Sequence, residues 1–201
     1  MFRELIASQF KKPTGLLGLF TSRMMIKGNK KNYDVLLNEL DIKPHDRVLE
    51  IGYGPGTGIY RITQLSESCI VDGVDFSKLM YKKASRLNKL MIDKGNVHLY
   101  FGDLLNTPFA QDQYEKVFCL NVIYFWNDLS KPFEKIISLL KTKGVFHIYM
   151  ANAKSLIAMN TPDSVFNKYT IEQVVEALKT TGFVTIEHHY NKGYFIKARK
   201  S

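Results

Sequence analysis

VLEIGYGPGTG, residues 48 to 58, is the segment that decides the fold of this chain. Val48 to Ile51 is typical of a buried strand, glycines then occupy every second position, and an apolar-periodic helix is predicted from Ile59. A strand, a tight turn and a helix are therefore expected in succession. Glycine has no Cβ and the first turn of a helix has unpaired N–H groups, so this turn is expected to admit a small polar ligand against its backbone.

The spacing of the glycines does not fit two common phosphate-binding motifs. A dinucleotide-binding turn needs G-x-G-x-x-G, but the sixth position counted from Gly52 is Thr57, and counted from Gly54 it is Ile59. No Gly-Lys-Ser/Thr follows, as a P-loop would require. Glu50 also departs from the apolar residue that usually ends the first strand of a nucleotide-binding fold. The glycines alone leave the ligand open, and a turn without a ligand remains an alternative.

Length and composition favour one globular domain, residues 1–201. The 201 residues are 45% hydrophobic and 23% charged, which is ordinary for such a domain. Cys69 and Cys119 lie in apolar runs without CxxC or Cys/His spacing, so buried thiols and no metal site are expected. The N-terminus lacks the pattern of a secretory signal, and no run approaches the ~18 apolar residues of a membrane span. We therefore expect a soluble, cytoplasmic protein.

The net charge of +9 points to an anionic partner or to a solvated lysine-rich surface, and the first 32 residues are its most basic part. We expect residues 1–45 to form a helical lid or extension on a core of residues 46–201. Three interpretations of the basic, amphipathic lead-in remain open: helices packed on the core, a lid over the substrate, and a segment that leans on an anionic membrane surface. Weak association with nucleic acid is a further alternative, and no obligate protein partner is indicated. The cations of this segment, which face the single acid Glu4, are Arg3, Lys11, Lys12, Arg23, Lys27, Lys30 and Lys31.

Beyond residue 46, predicted strands alternate with predicted helices, as in a parallel sheet. The chain ends in a predicted hairpin, which makes its last strand antiparallel to the neighbours. Helices are expected from an Asn32 cap to Leu40, from Ile59 to Leu65, from a Ser77 cap to Gly95, from Ser130 to a stop at Gly144, and from a Thr170–Gln173 capping box to Gly182. The predicted strands are residues 47–51, 70–75, 97–101, 116–120, 145–150, 184–190 and 194–199.

Polar and aromatic residues follow the carboxyl ends of the predicted strands, where open α/β sheets bind ligands. Asp75 lies 19 positions after Gly56, close to the ~20 expected of an acid that accepts the ribose hydroxyls. Phe76 can flank an adenine ring, and Asp103 can accept from its exocyclic amine. These strand ends predict one adenosine site, formed by Gly52 to Gly56, Asp75-Phe76, Asp103-Leu104 and Asn121 to Trp126.

Four motifs in this order and spacing resemble the class I S-adenosylmethionine-dependent methyltransferases, in particular the small single-domain type: Glu50 to Gly56, Gly73 to Ser77, Gly102 to Leu104 and Asn121 to Tyr124. The resemblance covers about Asp46 to Arg199. It implies a Rossmann-like, doubly wound sheet of seven strands, parallel except for the last, with S-adenosylmethionine as methyl donor and S-adenosylhomocysteine as product. The implied cofactor site comprises Glu50; Gly52, Gly54 and Gly56 at the methionine portion; Asp75 at the ribose; Phe76, Asp103 and Leu104 at the adenine; and Asn121 beside the sulfonium.

Three consecutive aromatic residues, Tyr124-Phe125-Trp126, follow the fourth strand and are predicted to contact the acceptor. Asn121 and Tyr124 also have the spacing of the Asn-Pro-Pro-Tyr motif of nucleic-acid amino methyltransferases, but Val122 and Ile123 replace both prolines. Methyl transfer from a sulfonium is an in-line displacement in which a general base is optional. No catalytic residue is assigned, because the histidines lie away from the rim of the fourth strand or, at position 147, inside a strand.

Three functions follow from these patterns. A methyltransferase with a small-molecule or lipid-like acceptor agrees with the short chain, the aromatic rim and the amphipathic lead-in. An RNA or DNA methyltransferase agrees with the +9 charge, although no appended recognition domain is evident. A non-catalytic or nicotinamide-binding Rossmann module is the alternative of another class.

Overall fold

Seven strands form one mixed sheet in the computed structural model of the protein, which describes residues 2–201. The strands are β1 (Arg47–Ile51), β2 (Ile70–Asp75), β3 (Val97–Phe101), β4 (Tyr114–Leu120), β5 (Leu140–Met150), β6 (Thr185–Tyr190) and β7 (Tyr194–Arg199). The helices are α1 (Phe2–Lys11), α2 (Gly15–Leu40), α3 (Thr57–Leu65), α4 (Lys78–Leu87), α5 (Lys89–Asp93), α6 (Ser130–Leu139), α7 (Ala153–Ala158) and α8 (Ile171–Thr180), with a 3₁₀ turn at Ile123–Phe125.

The sheet has the order β3-β2-β1-β4-β5-β7-β6. Neighbouring strands from β3 to β5 are parallel, and β7 is antiparallel to both β5 and β6. This confirms the predicted doubly wound sheet with an antiparallel last strand. The strand order reverses between β1 and β4, and ligands of such sheets bind at that reversal. The glycine-rich turn after β1 lies there.

Two apolar layers cover the two faces of the sheet. Successive side chains of β1 point alternately into one layer and the other. Val48 packs into the layer that contains α2 and α3 residues such as Leu36 and Ile59. Leu49 packs into the layer that contains α6 and α8 residues. Glu50 has the same parity as Val48, so its carboxyl group points into the layer under α2 and α3.

The predicted helix start at Asn32 is wrong, since α2 is one helix of 26 residues that begins at Gly15. Asparagine is favoured at helix N-caps, but here the tertiary contacts of two asparagine side chains hold this part of the chain inside the helix. The side chain of Asn29 accepts a hydrogen bond from Asn121 at 2.9 Å, and that of Asn32 hydrogen-bonds to Tyr149. The uninterrupted α2 thereby passes along the sheet to the end of β4. Among the residues described, no helix is long and apolar enough to cross a membrane.

Two further boundaries differ from the prediction. Asn88 separates α4 from α5, and its side-chain amide donates to the carbonyls of Gly56 and Ala84. The helix expected to stop at Gly144 ends at Leu139, and Gly144 lies inside β5. A Cβ there would lie 2.7 Å from the Lys141 carbonyl oxygen, so this glycine permits a close backbone approach and does not stop a helix.

Two predicted helix caps are confirmed. Ser77 accepts from the Met80 amide at the start of α4. Thr170 and Gln173 form the reciprocal capping box at the start of α8. Both patterns are local in the sequence, which explains why the sequence predicted them correctly.

Candidate functional site

A cavity of about 250 Å³ opens at the carboxyl edge of the sheet, at the reversal of strand order. Four successive strand ends and the end of α1 contribute to its wall. The lining residues are Ile51 and Gly52 at the end of β1; Val74, Asp75 and Phe76 at the end of β2; Gly102, Asp103 and Leu104 after β3; Val122, Phe125 and Trp126 after β4; and Lys11 of α1. The structure therefore brings together residues that the sequence predicts to bind a cofactor and residues that it predicts to contact an acceptor.

Asp75 is the buried acid of this wall. Its Oδ2 accepts from the Gly54 amide at 2.9 Å, and its Oδ1 accepts from the Ser77 amide at 2.8 Å. Burial raises the pKa of the Asp75 carboxyl to about 6, while the two amides favour its ionised form. The two backbone bonds hold the carboxylate in one orientation, and each oxygen keeps a lone pair that can accept another donor.

The three glycines after β1 have different surroundings, although all three have positive φ angles. A Cβ on Gly52 would lie 2.5 Å from a methyl of Val122, and a Cβ on Gly56 would lie 2.7 Å from Cβ of Ala84. Close packing therefore requires glycine at these two positions. No atom outside the adjoining residues lies within 4 Å of a Cβ built on Gly54, so the space beside this glycine is open; neither Gly54 nor Gly56 is among the residues that line the cavity.

Glu50 is fully buried in β1 behind the glycine-rich turn, and it does not line the cavity. The Tyr33 hydroxyl of α2 donates to its Oε1 at 2.6 Å, whereas Oε2 has no hydrogen-bond partner in the part of the chain described. Burial raises the pKa of Glu50 to about 8, and the bonds from Tyr33 and from the Ile59 amide act in the opposite direction. Tyr33 is a partner of Glu50 that was not predicted from the sequence. The signal available was an acid in a buried strand, which requires a hydrogen-bonding partner from another element.

Phe76, Asp103 and Leu104 are cavity-lining residues that follow β2 and β3. Phe76 is half-buried, Leu104 is buried, and Asp103 is exposed. One carboxylate oxygen of Asp103 accepts from the Leu105 amide at 2.9 Å, which leaves the other oxygen available. This group offers apolar surface beside a hydrogen-bond acceptor, as an adenine ring requires.

Asn121 and Tyr124 do not line the cavity. The Tyr124 hydroxyl donates to Oδ1 of Asn121 and accepts from the Ala151 amide at 2.9 Å. Tyr124 is almost fully buried, and its ring packs on Phe125 and Phe166. Its side chain is therefore part of the core, and the Asn-x-x-Tyr spacing corresponds to an internal hydrogen bond. Of the three predicted acceptor residues, Phe125 and Trp126 lie on the cavity wall.

The segment between α1 and α2 closes one side of the cavity. Lys11 lines it, and the Lys12 ammonium lies 6.0 Å from the centre of the Phe76 ring. The Ser77 hydroxyl donates to the Pro13 carbonyl at 2.8 Å, in a buried position. Since Ser77 also caps α4 and its amide binds Asp75, this bond connects the amino-terminal helices directly to the site.

The histidines do not supply a base at the cavity. His98 pairs with Asp72 at 2.8 Å, and His189 pairs with Glu39 at 2.7 Å. His147 is buried in β5, and burial, followed by the positive charge of Lys197, lowers its pKa to about 3. None of the five histidines is among the residues that line the cavity.

Comparison with known proteins agrees with this geometry. A family model described as a methyltransferase domain matches residues 42–194. The uncharacterized methyltransferase YdaC of Bacillus subtilis is 30% identical over 151 residues, which are 75% of this chain and 78% of that protein. The sterol 24-C-methyltransferase erg6 of Schizosaccharomyces pombe is 26% identical over 165 residues, covering 76% of this chain and 43% of the yeast protein. The chain thus spans less than half of the sterol enzyme.

A solved structure shares the fold. Phosphoethanolamine N-methyltransferase 2 of Haemonchus contortus, in complex with S-adenosyl-L-methionine, superposes with a TM-score of 0.71 at 21% identity, covering 85% of this chain and 52% of that one. The fold is that of a Rossmann-like methyltransferase. The chain belongs to the methyltransferase-domain family, and the class I S-adenosylmethionine-dependent resemblance seen in its motifs is confirmed.

Proposed function

We propose that the protein transfers a methyl group from S-adenosylmethionine to a small, largely apolar or lipid-like acceptor. The observation that carries this proposal is the shared cavity at the strand reversal. There, the Asp75 carboxylate, the apolar surface of Phe76 and Leu104, and the aromatic side chains of Phe125 and Trp126 line the same space. Family membership supports the reaction, and the cavity wall supports the acceptor class.

The residues present fit the cofactor. Asp75 has a lone pair on each oxygen for the ribose hydroxyls, and Phe76, Asp103 and Leu104 would hold the adenine. The open space beside Gly54 would admit the methionine portion, with Gly52 and Gly56 shaping the turn around it. Glu50 Oε2 is a buried oxygen without a partner among the described residues, directly behind this turn. Its pKa of about 8 keeps this carboxyl largely protonated at pH 7, so it would act through hydrogen bonds and not through a negative charge.

When bound, the cofactor supplies an electrophilic methyl carbon on a sulfonium. The chain's own part is to orient the acceptor and to exclude water. Phe125 and Trp126 present apolar surface for this purpose, and π-faces of this kind also stabilise a nearby cation. Since no histidine lines the cavity, the wall suits acceptors whose nucleophile needs no imidazole to remove its proton.

The relatives support an apolar acceptor. A sterol 24-C-methyltransferase, by its name, methylates carbon in a lipid, and this chain aligns with 43% of its length. Phe125 and Trp126 would wall such a molecule by packing. The alternative of an amino-methylating nucleic-acid enzyme loses support, because the buried Tyr124 is bonded to Asn121 and Ala151 and does not reach the cavity.

Titration calorimetry of the purified protein with S-adenosylhomocysteine and, separately, with NAD tests the cofactor. We expect binding of S-adenosylhomocysteine with one site per chain and no measurable binding of NAD. Binding of NAD with no heat from S-adenosylhomocysteine would identify a nicotinamide-binding module and overturn the proposal.

Methyl transfer from radiolabelled S-adenosylmethionine, into a total lipid extract and into total RNA, tests the acceptor. We expect label in the organic phase of the lipid reaction. Label confined to RNA would replace the proposed acceptor class with nucleic acid.

A further inference from the structure

The amino-terminal half of α2 carries its large apolar residues on the outside. Leu16 is 84% exposed, Phe20 is 61% exposed and Met24 is 50% exposed, at a spacing of one helical turn. Leu17, Leu19 and Ile26 are also exposed. Contiguous exposed apolar surface is uncommon on soluble monomers and marks an interaction site. We call this surface the outer face of α2, comprising Leu16, Leu17, Leu19, Phe20, Met24 and Ile26.

The inner face of the same helical turns is small and polar. Gly18, Thr21 and Ser22 are its buried residues. The Thr21 hydroxyl donates to the Leu17 carbonyl at 3.1 Å, and the Ser22 hydroxyl donates to the Leu19 carbonyl at 2.8 Å, so neither is left unsatisfied by burial. The polarity of the helix is therefore reversed with respect to a helix that packs on a core.

The helix cannot rotate to bury its outer face without losing these contacts. A Cβ on Gly18 would lie 2.8 Å from the Pro13 carbonyl carbon and 3.0 Å from a methyl of Leu79, so only glycine fits between these neighbours. The Lys83 ammonium of α4 donates to the Ser22 hydroxyl. The Asn29 side chain accepts from Asn121 at 2.9 Å one turn beyond the outer face. These bonds fix which side of α2 faces solvent.

The outer face is also cationic. At 100° per residue, Arg23, Lys27 and Lys31 lie on the same side of α2 as Leu16 and Phe20, and all five are exposed. Lys30 adds a further exposed cation beside them. No aspartate or glutamate occurs between residues 5 and 33. An apolar face combined with lysine and arginine, without acids, is the composition of helices that lie in the interface of anionic membranes.

Of the partners that would cover an apolar surface, this charge pattern favours a membrane. A second copy of the chain would bring the same cations against each other, which electrostatics opposes. A single-stranded nucleic acid would need aromatic side chains between the cations for base stacking, and Phe20 is the one aromatic residue of the outer face. Anionic lipids match both the cations and the apolar side chains of this face, because their head groups pair with the cations and their acyl chains surround the apolar side chains.

We propose that the outer face of α2 docks on an anionic membrane surface and that the acceptor is an amphiphile taken from that membrane. The second half of this statement rests on the proposed methyltransferase function. The amino-terminal segment connects the two surfaces, since Lys11 lines the cavity and Pro13 is bonded to Ser77 beside Asp75. Because α1 ends at Lys11 and α2 begins at Gly15, docking of α2 would bring the end of α1, and with it this wall of the cavity, towards the membrane surface.

Vesicle flotation of the full chain tests the docking. The probes are vesicles of phosphatidylcholine alone and vesicles containing phosphatidylglycerol as the anionic lipid. We expect binding to the anionic vesicles that weakens with added salt, and little binding to the neutral ones. The triple variant Leu16→Ser, Phe20→Ser and Met24→Ser is expected to bind at least roughly tenfold more weakly, because each removed side chain is exposed in the free protein and would be buried in lipid.

A matched control removes equally exposed apolar residues elsewhere, with the variant Leu65→Ser, Leu90→Ser and Val184→Ser, whose residues are 61%, 67% and 63% exposed. It is expected to bind vesicles like the parent. Equal vesicle binding by the parent and by the α2 variant would overturn the proposal, as would binding to RNA without binding to vesicles, or a dimer that depends on the outer face. Calorimetry with S-adenosylhomocysteine separates membrane docking from the methyltransferase function. The α2 variant should retain cofactor binding. A parent protein that binds vesicles but not the cofactor would overturn only the methyltransferase function.

Discussion

Replacing Asp75 with asparagine separates cofactor binding from stability, and the structure gives a magnitude for each. The isosteric Asp75→Asn change keeps one oxygen, which can still accept from one of the amides of Gly54 and Ser77. Its NH₂ group then faces the other amide, a donor opposite a donor. That lost bond costs about 1–3 kcal/mol of stability.

A second effect acts in the opposite direction. The pKa of Asp75 is raised to about 6 in the folded protein from the ordinary 3.8, because the carboxyl group is buried. At pH 7 both folded and unfolded chains carry the charge, and this pKa difference means that ionisation costs the folded state about 3 kcal/mol more than the unfolded state. Asparagine avoids that cost. The two effects roughly cancel, so the free energy of unfolding of Asp75→Asn is expected to stay within about 2 kcal/mol of the parent.

Cofactor affinity has no such compensation. The charged acceptors that we assign to the ribose hydroxyls are lost, at about 1.5–3 kcal/mol for each hydrogen bond to a charged group, and the remaining amide oxygen recovers part of one bond. A net loss of about 3 kcal/mol raises the Kd for S-adenosylhomocysteine roughly a hundredfold. Calorimetry measures this Kd, and urea unfolding measures stability on the same sample.

Asp72→Asn is the matched control for this experiment. Asp72 lies on the same strand but points to the opposite face, where it is fully buried and binds Arg47, His98 and Tyr114. Its replacement removes the charged acceptor of hydrogen bonds from partners that are themselves partly exposed, so stability should fall by about 1.5–3 kcal/mol while the folded fraction keeps its affinity for S-adenosylhomocysteine. If the Kd of Asp75→Asn for this ligand were within about threefold of the parent's, the loss of binding free energy would be less than about 1 kcal/mol. That result would refute the assignment of Asp75 to the ribose.

Three further predictions follow from the glycine-rich turn and its buried acids. Gly56→Ala should destabilise the protein by more than Gly95→Ala. Both glycines have positive φ, but only a Cβ at position 56 would lie 2.7 Å from Ala84. Urea unfolding compares the two variants, and equal losses of stability would contradict the packing argument. The stability of the parent should fall relative to Glu50→Gln as pH rises from about 5 to 8. The reason is that the pKa of Glu50 is about 8 in the folded chain and 4.5 ordinarily, so over this range the folded chain keeps a proton that the unfolded chain releases. Urea unfolding at both pH values measures the difference in stability, and a difference independent of pH would contradict this. Affinity for S-adenosylhomocysteine should decrease as pH falls below about 6, where the Asp75 carboxyl becomes protonated, and calorimetry across this range should find no such decrease in Asp75→Asn.

The strand ends were predictable from sequence because both signals involved are local. Buried strands in a parallel sheet are short apolar runs, and the polar residue at each run's end must lie at one edge of the sheet. Asp75 and Phe76 illustrate this, since Asp75 ends β2, Phe76 follows it, and both line the cavity. The antiparallel β7 followed from the terminal hairpin, whereas the order of the strands was not predicted.

The contacts made by α2 were not predictable in the same way. Asn32 has the chemistry of a helix cap, but its side chain is engaged by Tyr149, which is more than a hundred residues away in sequence. The bond between Tyr33 and Glu50 likewise joins separate elements. Tyr124 was expected beside the acceptor because of its position after β4, yet packing inside the core decides where its side chain points. Local patterns give element types and strand ends, whereas tertiary contacts decide which side chains face the cavity.

A crystal structure of the protein with S-adenosylhomocysteine tests the site assignment most directly. We predict that the ribose hydroxyls bind Asp75, that the adenine lies between Phe76 and Leu104, that the methionine portion passes beside Gly54, and that the sulfur faces Phe125 and Trp126. A ligand bound away from the edge formed by the ends of β1, β2 and β3, or one whose ribose does not contact Asp75, would contradict it.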